Sequence, residues 1–376
     1  MSSPGQRPGS ASPAELHAMR RAARLAATAL GSTSPNPVVG CVLLGEDGAP
    51  VAEGHHLGAG HPHAEVEALK AAGPSARGAT AVVTLEPCAH QGRTGPCADA
   101  LLEAGVTRVV YAVDDPTPEG TGGAERLRRA GVQVAGGVLR ELGEHVNELW
   151  LTAVRRRRPC VTWKFGSTLD GRTAAADGSS RWITGAAARQ DAHELRAAHD
   201  AVLVGTGTLR ADDPHLGLRH DVPGTPPLRV VVDRTGGIDP GARVLDDAAP
   251  TLLVVAEDAH RPRLPHGHEV LALPADGHGI DVAALLDELY RRGLRSVLLE
   301  GGARLASAFV ARGLLDRVVA YLAPMLLGSR GRPVLEDFGV KNLAEGRRFE
   351  TGEVRRVGED IRLVLRAPHG PAAGPR

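Results

Sequence analysis

The sequence predicts two α/β domains in one chain. The chain has 376 residues, and a domain usually has roughly 100–200, so the length suits two of them. Strand and helix patterns alternate on both sides of residues 150–159, where four consecutive arginines precede a proline. Such alternation is typical of sheets that are covered by helices, with substantial parallel pairing of the strands.

Composition and charge exclude several function classes. Basic and acidic residues number 44 each, so the net charge is zero, and aromatic residues make up only 3%. Both values argue against a broad nucleic-acid interface. No stretch approaches the ~20 apolar residues of a membrane span, and the first residues lack the apolar core of a secretory signal. We therefore expect a cytoplasmic chain whose four cysteines are reduced, metal-bound or inert; a homo-oligomer stays open.

The first half begins with a clear helix-start motif. Ser12-Pro-Ala-Glu15 is a capping box with proline at the first helical position, and the prolines at 35 and 37 end that helix. The remaining predictions for this half are strands over 38–44, 81–85 and 108–113, a strand near Val51, and helices over 63–72 and 96–104.

The second half repeats the alternation after the arginine run, which we interpret as a solvated linker. Strands are predicted over 161–165, 201–205, 228–233, 251–255, 297–300 and 318–322, and helices over 186–198, 281–292 and 303–312. The predicted boundaries are a disordered tail over 1–13, a first domain over 14–148, the linker over 149–158, a second domain over 159–366 and a loose tail over 367–376.

A candidate metal site provides the strongest chemical indication. His63 precedes Glu65 by two positions, and Cys88 and Cys97 follow. One imidazole and two thiolates suit zinc, and three protein ligands leave a fourth position for water, as in catalytic zinc sites. Glu65 is placed to take a proton from that water and pass it to a departing amine. His-x-Glu followed by Pro-Cys is typical of zinc deaminases.

The spacing of the two cysteines helps to distinguish classes of deaminase. Eight residues separate Cys88 from Cys97, whereas deaminases of nucleic-acid bases typically have Pro-Cys-x-x-Cys. The longer loop contains Arg93, and a cation suits a phosphorylated or otherwise anionic small substrate. Two alternatives remain at this point: a nucleic-acid base deaminase with an appended binding domain, and a structural zinc module on a binding scaffold.

In the second half, one turn has the features of a phosphate site. In the string Ser296-Val-Leu-Leu-Glu300-Gly-Gly302 an apolar strand ends in Glu-Gly-Gly, after which a helix begins. Glycines allow a ligand to approach the backbone, and a helix N-terminus offers free N–H groups to a phosphate. A plain tight turn would have the same pattern. The string from Gly205 to Arg210 lacks the last glycine of the dinucleotide fingerprint.

These motifs together resemble one enzyme family. The chain is similar to the bifunctional riboflavin biosynthesis deaminase-reductases over roughly residues 14–366. The strings that carry the resemblance are Asn36-Pro-Val-Val-Gly40, Gly54-His55-His56, His63-Ala-Glu-Val66, Thr84-Leu-Glu-Pro-Cys-Ala-His-Gln-Gly-Arg-Thr-Gly-Pro-Cys97, Lys164-Phe-Gly-Ser-Thr-Leu-Asp-Gly-Arg172, Ser180-Arg-Trp-Ile-Thr184, Asp212-Asp-Pro-His-Leu216 and Ala323-Pro-Met-Leu-Leu-Gly328.

The resemblance implies a fold and two reactions. It implies a cytidine-deaminase-like three-layer domain followed by a dihydrofolate-reductase-like domain. The first would hydrolytically deaminate 2,5-diamino-6-(5-phosphoribosylamino)pyrimidin-4(3H)-one with one zinc ion per chain. The second would reduce the ribosyl group with NADPH to give 5-amino-6-(5-phosphoribitylamino)uracil. The implied partner is this phosphorylated small molecule, without nucleic acid or membrane.

The resemblance also implies contacts for individual residues. Asn36 would hold the pyrimidine, His56 would line the site and Arg93 would contact the substrate, while Arg196 and Arg219 suit a phosphate clamp. From charge and position, Lys164 or Asp212 is a candidate for assisting proton transfer to the sugar. The implied cofactor contacts are Gly166, Trp182, Thr208, Asp212, Gly302, Ala303, Arg304, Leu305, Ala306, Ser307 and Ala308. The substrate contacts expected in the second domain are Lys164, Ser180, Arg196, Leu216, Arg219 and Glu300.

Three parts of the sequence depart from the family pattern. Gly95 replaces one of the two prolines that the family usually has before the second cysteine. Residues 177–181 read Asp-Gly-Ser-Ser-Arg where a Ser-Gly-Glu-Ser-Lys-like string is usual. Gly217 stands where threonine is common. Each departure concerns single contacts rather than the domain.

Overall fold

The chain divides into two units, Met1–Arg155 and Arg156–Arg376. The structure is a computed structural model, and it describes residues 11–91, 95–218, 222–277 and 279–368. In these ranges no helix is long and apolar enough to cross a membrane. The division between the units lies inside the predicted linker.

The first helix of unit 1 has the predicted start. The backbone N–H of Glu15 donates to Ser12 Oγ (3.2 Å), and the backbone N–H of Ser12 donates to the Glu15 carboxylate (2.6 Å), which confirms the capping box. In chain order the elements of this unit are α1 (Pro13–Ala27), β1 (Gly40–Leu44), β2 (Pro50–His55), α2 (Ala64–Ala72), a 3₁₀ turn (Gly73–Ala76), β3 (Thr80–Leu85), α3 (Cys97–Glu103), β4 (Arg108–Val113), α4 (Gly123–Arg129), β5 (Gln133–Ala135), α5 (Arg140–Val146) and α6 (Glu148–Arg156).

Unit 1 has three layers around a five-stranded sheet in the order β2-β1-β3-β4-β5. β1 is antiparallel to both β2 and β3, and β3, β4 and β5 are parallel. Successive side chains of a strand point to opposite faces. Val42 accordingly packs with Met19 of α1 and Trp150 of α6, whereas Cys41 packs with Ala64 of α2 and Leu101 of α3. Helices therefore cover both faces.

The structure corrects the predicted solvated connection over 149–158. Residues up to Arg156 form α6, in which Trp150, Leu151 and Ala153 are buried. Arg158 is not solvated either, because its guanidinium pairs with Asp316 at 2.6 Å with only 12% of its side chain exposed. The apolar residues before the arginines are buried, and Arg158 pairs with a buried carboxylate that is distant in the sequence. The arginine run by itself indicates neither of these contacts.

Unit 2 contains the remaining elements and confirms each strand predicted there to within three residues at either end. In chain order they are β6 (Cys160–Thr168), β7 (Arg172–Ala174), α7 (Ala186–Ala197), β8 (Ala201–Gly205), α8 (Thr206–Asp212), β9 (Leu228–Val232), a 3₁₀ turn (Arg243–Leu245), β10 (Thr251–Ala256), β11 (Glu269–Leu273), β12 (Ala275–Asp276), β13 (Gly279–Ile280), α9 (Val282–Arg291), β14 (Ser296–Leu299), α10 (Ala303–Ala311), β15 (Arg317–Ala323), β16 (Arg332–Pro333), a 3₁₀ turn (Leu343–Glu345), β17 (Glu350–Val357) and β18 (Asp360–Arg366).

The sheet of unit 2 has nine strands in the order β11-β10-β9-β8-β14-β6-β15-β18-β17. In this order the first seven strands, β11 through β15, are parallel to their neighbours. The last two, β18 and β17, form an antiparallel hairpin that pairs with β15. Phe309 of α10 and Leu285 of α9 cover one face, and Leu195 of α7 covers the other. The carboxyl ends of parallel strands share one edge, where ligands of such sheets usually bind.

Candidate active sites

The three predicted metal ligands of unit 1 converge. His63 precedes the first residue of α2, Cys88 follows β3, and Cys97 begins α3. Their ligand atoms all lie within 4.8 Å of one another. His63 Nδ1 is 3.2 Å from Cys97 Sγ and 3.7 Å from Cys88 Sγ. One nitrogen and two sulfurs at one point are a donor set that zinc accepts.

Backbone contacts explain why the two cysteines meet. The N–H of Ala98 donates to the carbonyl of Cys88 at 3.1 Å, and the N–H of Cys97 points to Cys88 Sγ at 3.4 Å. Before Cys88, the buried Glu86 accepts the N–H groups of Gly122 (3.2 Å) and Ala124 (3.0 Å). Glu86 therefore fixes the segment that leaves β3, and the sequence analysis did not identify this role.

Glu65 lies beside the ligand cluster, with 3% of its surface exposed. Burial raises its pKa to about 6, against the lowering effect of His63. A carboxyl group with a pKa near neutrality suits general acid and base work. Of the two thiols, Cys88 has the lower pKa, about 4. It accepts a hydrogen bond from Cys97, which lowers the pKa most, and another from His63. The same contact with Cys88, together with burial, raises the pKa of Cys97.

Asn36 and His56 form a polar pair next to this cluster. The ring of His56 lies edge-on to that of His63, with 5.4 Å between centroids. His56 Nδ1 is 3.0 Å from the carbonyl of Pro62, and a carbonyl only accepts, so Nδ1 carries the proton. His56 Nε2 then accepts from Asn36 Nδ2 at 3.1 Å. Burial lowers the pKa of His56, which favours the neutral ring.

Two residues from the end of unit 1 hold the segment that presents Asn36. The buried Asn147 accepts the N–H of Val38 (3.0 Å) and donates to its carbonyl (2.8 Å). Trp150 Nε1 donates to the carbonyl of Pro35 at 3.0 Å. Both lie more than a hundred positions from their partners, so no local pattern in the sequence indicates this function.

In unit 2 the structure brings three predicted substrate residues into one charged cluster. Glu300 follows β14, Lys164 lies on β6 and Arg196 lies on α7. Arg196 donates to both Glu300 oxygens, at 2.6 and 3.1 Å, and Lys164 Nζ lies 3.4 Å from Glu300 Oε2. Burial alone would raise the pKa of Glu300, but the two cations hold it well below its usual range. Glu300 is therefore charged at neutral pH.

The turn that contains Leu216 joins this cluster. Leu216 is buried with a positive φ of 57°, and the carbonyl of Gly217 accepts from Arg196 Nη1 at 3.1 Å. The structure thus places Leu216 near Arg196 and Glu300 through Gly217, its neighbour in the chain. Ser180, another predicted substrate residue, is half-buried.

Predicted cofactor residues meet where α10 begins. The N–H of Gly302 donates to Thr208 Oγ1 at 3.1 Å, so the first turn of α8, which follows β8, is adjacent to the glycine turn that follows β14. Farther along α10, Ala306 belongs to the hydrophobic core, and Ser307 exchanges hydrogen bonds with the backbone of Glu336. Of the predicted segment, residues 302–305 are therefore nearest the turn, whereas Ala306 and Ser307 face inward.

The surroundings of three further predicted cofactor residues, Trp182, Asp212 and Gly166, differ. Trp182 is 67% exposed, and the guanidinium of Arg189 lies 4.1 Å from its ring centroid. Arg181 approaches the Asp212 carboxylate at 3.9 Å. A Cβ on Gly166 would lie 3.1 Å from the methyl group of Thr184.

Comparisons with known proteins match both units. Residues 13–113 match the cytidine and deoxycytidylate deaminase zinc-binding region, and residues 159–363 match the RibD C-terminal domain. The Escherichia coli (strain K12) riboflavin biosynthesis protein RibD is 40% identical over 92% of this chain and 98% of its own length.

Two solved structures extend the match over almost the whole chain. Acinetobacter baumannii RibD, form 1, has a TM-score of 0.85 and 39% identity, covering 95% of this chain and 99% of its own. A Thermotoga maritima diaminohydroxyphosphoribosylaminopyrimidine deaminase/5-amino-6-(5-phosphoribosylamino)uracil reductase has a TM-score of 0.84 and 36% identity, covering 94% and 99%. The chain belongs to the RibD family.

Membership of the RibD family confirms the fold class predicted from the sequence, a deaminase-like α/β domain followed by a reductase domain. Two predicted substrate residues, Arg93 and Arg219, lie outside the described residues. Cys41 and Cys160, which are not part of the candidate metal site, are buried core residues.

One residue that the sequence analysis quoted without a role connects two of the motifs typical of the RibD family. The carboxylate of Asp170 accepts the N–H groups of Leu327 (3.2 Å) and Gly328 (2.7 Å). It also accepts the Thr168 hydroxyl at 2.5 Å. The string over 164–172 and the string over 323–328 are therefore parts of one structure.

Proposed function

We propose that the chain is a bifunctional enzyme of riboflavin biosynthesis. Unit 1 would hydrolyse an amino group from the diaminopyrimidine phosphoriboside, releasing ammonia and leaving a carbonyl. Unit 2 would then reduce the ribosyl group of the resulting uracil to ribityl, consuming NADPH and a proton. The observation that carries the first reaction is the convergence of His63, Cys88 and Cys97 beside the buried Glu65.

In the first reaction the residues of this chain bind, orient and move protons. Zinc, when bound by the nitrogen and the two sulfurs, supplies the Lewis acid that activates water. Glu65 Oε atoms would take the proton of the attacking water and deliver it to the leaving nitrogen, for which a pKa of about 6 is suitable. Asn36 would hold the pyrimidine, with its amide oriented by the neutral ring of His56.

In the second reaction the charged cluster of unit 2 would hold the substrate. NADPH, when bound, supplies the hydride. Arg196, already anchored on Glu300, would contact the phosphoribosyl part with its planar guanidinium. Lys164 Nζ, beside Glu300, would assist proton delivery to the sugar oxygen. The N-terminus of α10, with Gly302 and Thr208, would bind a phosphate of the cofactor.

Product analysis tests both reactions. The chain is given the diaminopyrimidine phosphoriboside with and without NADPH, and products are identified by mass. Without NADPH we expect exchange of one amino group for oxygen, and with NADPH a further gain of two hydrogens. A chain that leaves the substrate unchanged under both conditions contradicts the proposal.

A single variant separates this function from a structural zinc module. Glu65→Gln should retain the metal and lose most of the deamination, whereas Glu67→Gln, in the same first turn of α2, should retain both. A scaffold protein would not respond to either change. A nucleic-acid deaminase would instead bind single-stranded nucleic acid in a salt-sensitive way. The RibD relatives favour the bifunctional enzyme over both alternatives. Its cytoplasmic location and any homo-oligomer stay predictions.

A further inference from the structure

The imidazole of His215 bridges two segments beside the proposed substrate site of unit 2. Its Nδ1 is 3.2 Å from the backbone N–H of Gly217, and its Nε2 is 2.7 Å from the carboxylate of Asp246. A peptide N–H only donates, so Nδ1 accepts and Nε2 carries a proton toward Asp246. The ring is thereby fixed at both nitrogens, with 19% of the side chain exposed.

The ring of His215 occupies the volume that a side chain at position 217 would need. A Cβ built on Gly217 would lie 2.5 Å from Cε1 and 2.6 Å from Nδ1 of His215. Such distances are far below van der Waals contact. A histidine at 215 in this position and a threonine at 217 therefore exclude each other. Gly217, which lacks a Cβ, is the residue that this position of the ring requires.

A buried arginine holds Asp246, the residue that contacts Nε2 of the ring. The side chain of Arg229 is fully buried. It donates to the Asp246 carboxylate (2.6 Å), to the carbonyls of Asp246 (2.6 Å) and His215 (3.4 Å), and to the carbonyl of Ala249. Asp246 is thus fixed by Arg229 on one oxygen and receives His215 on the other.

These contacts enclose a strained residue. Leu216 has a positive φ of 57°, which is unfavourable for a residue with a Cβ and persists only where the surroundings determine it. Before Leu216, the His215 carbonyl is bound by Arg229. After it, Gly217 is bound at its N–H by the His215 ring and at its carbonyl by Arg196. The contacts therefore run without a break from Asp246 to the guanidinium that pairs with Glu300.

We propose that His215 is a positioning residue for the reductase substrate. Its ring would fix the Gly217 peptide and so orient Arg196. This proposal rests on the proposed function of unit 2, in which Arg196 contacts the phosphoribosyl group. It assigns no contact with substrate to His215 itself.

A double-mutant cycle tests the proposal. The variants are His215→Ala, Gly217→Thr and the combination of both, in the full chain. Each is assayed for reduction of 5-amino-6-(5-phosphoribosylamino)uracil with NADPH, giving kcat and the KM of each substrate, and for deamination by unit 1. Thermal unfolding is followed for all four proteins.

The expected result is strong coupling between the two positions. Gly217→Thr alone should raise the KM of the uracil substrate about tenfold, because the new side chain displaces the ring and the turn. His215→Ala alone should raise it about threefold, because the Gly217 N–H loses its acceptor. The combination should return to within about threefold of wild type. The KM of NADPH and the deamination rate should not change.

Two outcomes overturn the proposal while the function stands. If the two KM effects simply multiply in the combined variant, the residues are not coupled. If the unfolding temperatures fall but the KM of the uracil substrate does not change, the contact is only structural. Should Gly217→Thr fail to fold, an unchanged KM in His215→Ala still contradicts the proposal. A wild-type chain that does not reduce the substrate overturns the proposed function and this role together.

Discussion

Glu300 and Arg196 form a two-point ion pair between the end of β14 and helix α7. Arg196 Nε and Nη2 donate to different oxygens of the carboxylate, at 2.6 and 3.1 Å. The side chain of Arg196 is 15% exposed and that of Glu300 is 9% exposed. Lys164 approaches the same carboxylate. One negative charge therefore holds two positive groups in place, and this arrangement determines how the site responds to mutation and to pH.

Glu300→Gln should destabilise unit 2 at neutral pH. The change leaves Arg196 and Lys164 close together without their counter-charge, and we expect a loss of about 2 kcal/mol in the free energy of unfolding. Urea unfolding at pH 7 measures it. Glu359→Gln, at an exposed position of the same unit, should change the free energy by less than about 0.5 kcal/mol.

The advantage of wild type over Glu300→Gln should depend on pH in one direction. The folded-state pKa of Glu300 is lowered, so its contribution is fully present above the unfolded pKa of about 4.3 and is lost as pH falls through the folded value. The difference between the two proteins should be constant from about pH 7 to 5 and decrease in more acidic solution. A difference that instead grows on acidification would contradict the assigned ion pair.

Asn147→Ala should affect the deaminase and leave the reductase intact. The change removes both hydrogen bonds to Val38 and leaves buried backbone groups without a partner, at a cost of about 2 kcal/mol. Because Asn36 lies on the same segment, the KM for the diaminopyrimidine should rise. Reductase kinetics serve as the internal control. Lower stability with an unchanged deaminase KM would show that Asn147 supports the fold alone.

Gly302→Asp should weaken NADPH binding about tenfold, a change of ~1.4 kcal/mol. A Cβ at 302 has ordinary contact with Thr208 Oγ1 at 3.5 Å, so the substitution fits. Its effect would come from placing a negative charge beside the phosphate site proposed at the start of α10. Gly302→Ala is the matched control and should bind NADPH nearly as wild type does. Fluorescence titration measures both; equal affinities for Asp and Ala would disprove the phosphate site.

Removal of the metal should abolish deamination and leave reduction. The proposed donors adjoin elements of unit 1: His63 precedes α2, Cys88 follows β3 and Cys97 begins α3. A hydrophobic cluster that includes Cys41, Ala64 and Leu101 already packs these elements together. We therefore expect chelation to preserve the circular dichroism spectrum, and added zinc to restore activity. Cooperative unfolding on chelation would indicate a structural ion instead.

Local patterns in the sequence predicted most of the regular structure and the three residues that converge as candidate metal ligands. The capping box at Ser12 and Glu15 formed as expected, because its contacts span three residues. His63, Glu65, Cys88 and Cys97 were identifiable because zinc chemistry restricts both the residue types and their order. The charged cluster around Glu300 was reached through the family resemblance, and the structure then supplied its distances.

The tertiary structure alone decided features that depend on contacts between distant positions. The helix over Glu148–Arg156 was predicted as a linker. Its apolar residues pack on α1 and on the sheet, and the arginines that follow them in the sequence give no indication of this packing. Asn147 holds Val38 across 109 positions. The exclusion between the His215 ring and a side chain at 217 follows only from the turn geometry that Arg229 and Asp246 impose. The sequence by itself determined which chemical groups are present and in what order, since those depend on residue identity. Folding decided which groups meet, since that depends on the packing of the whole unit.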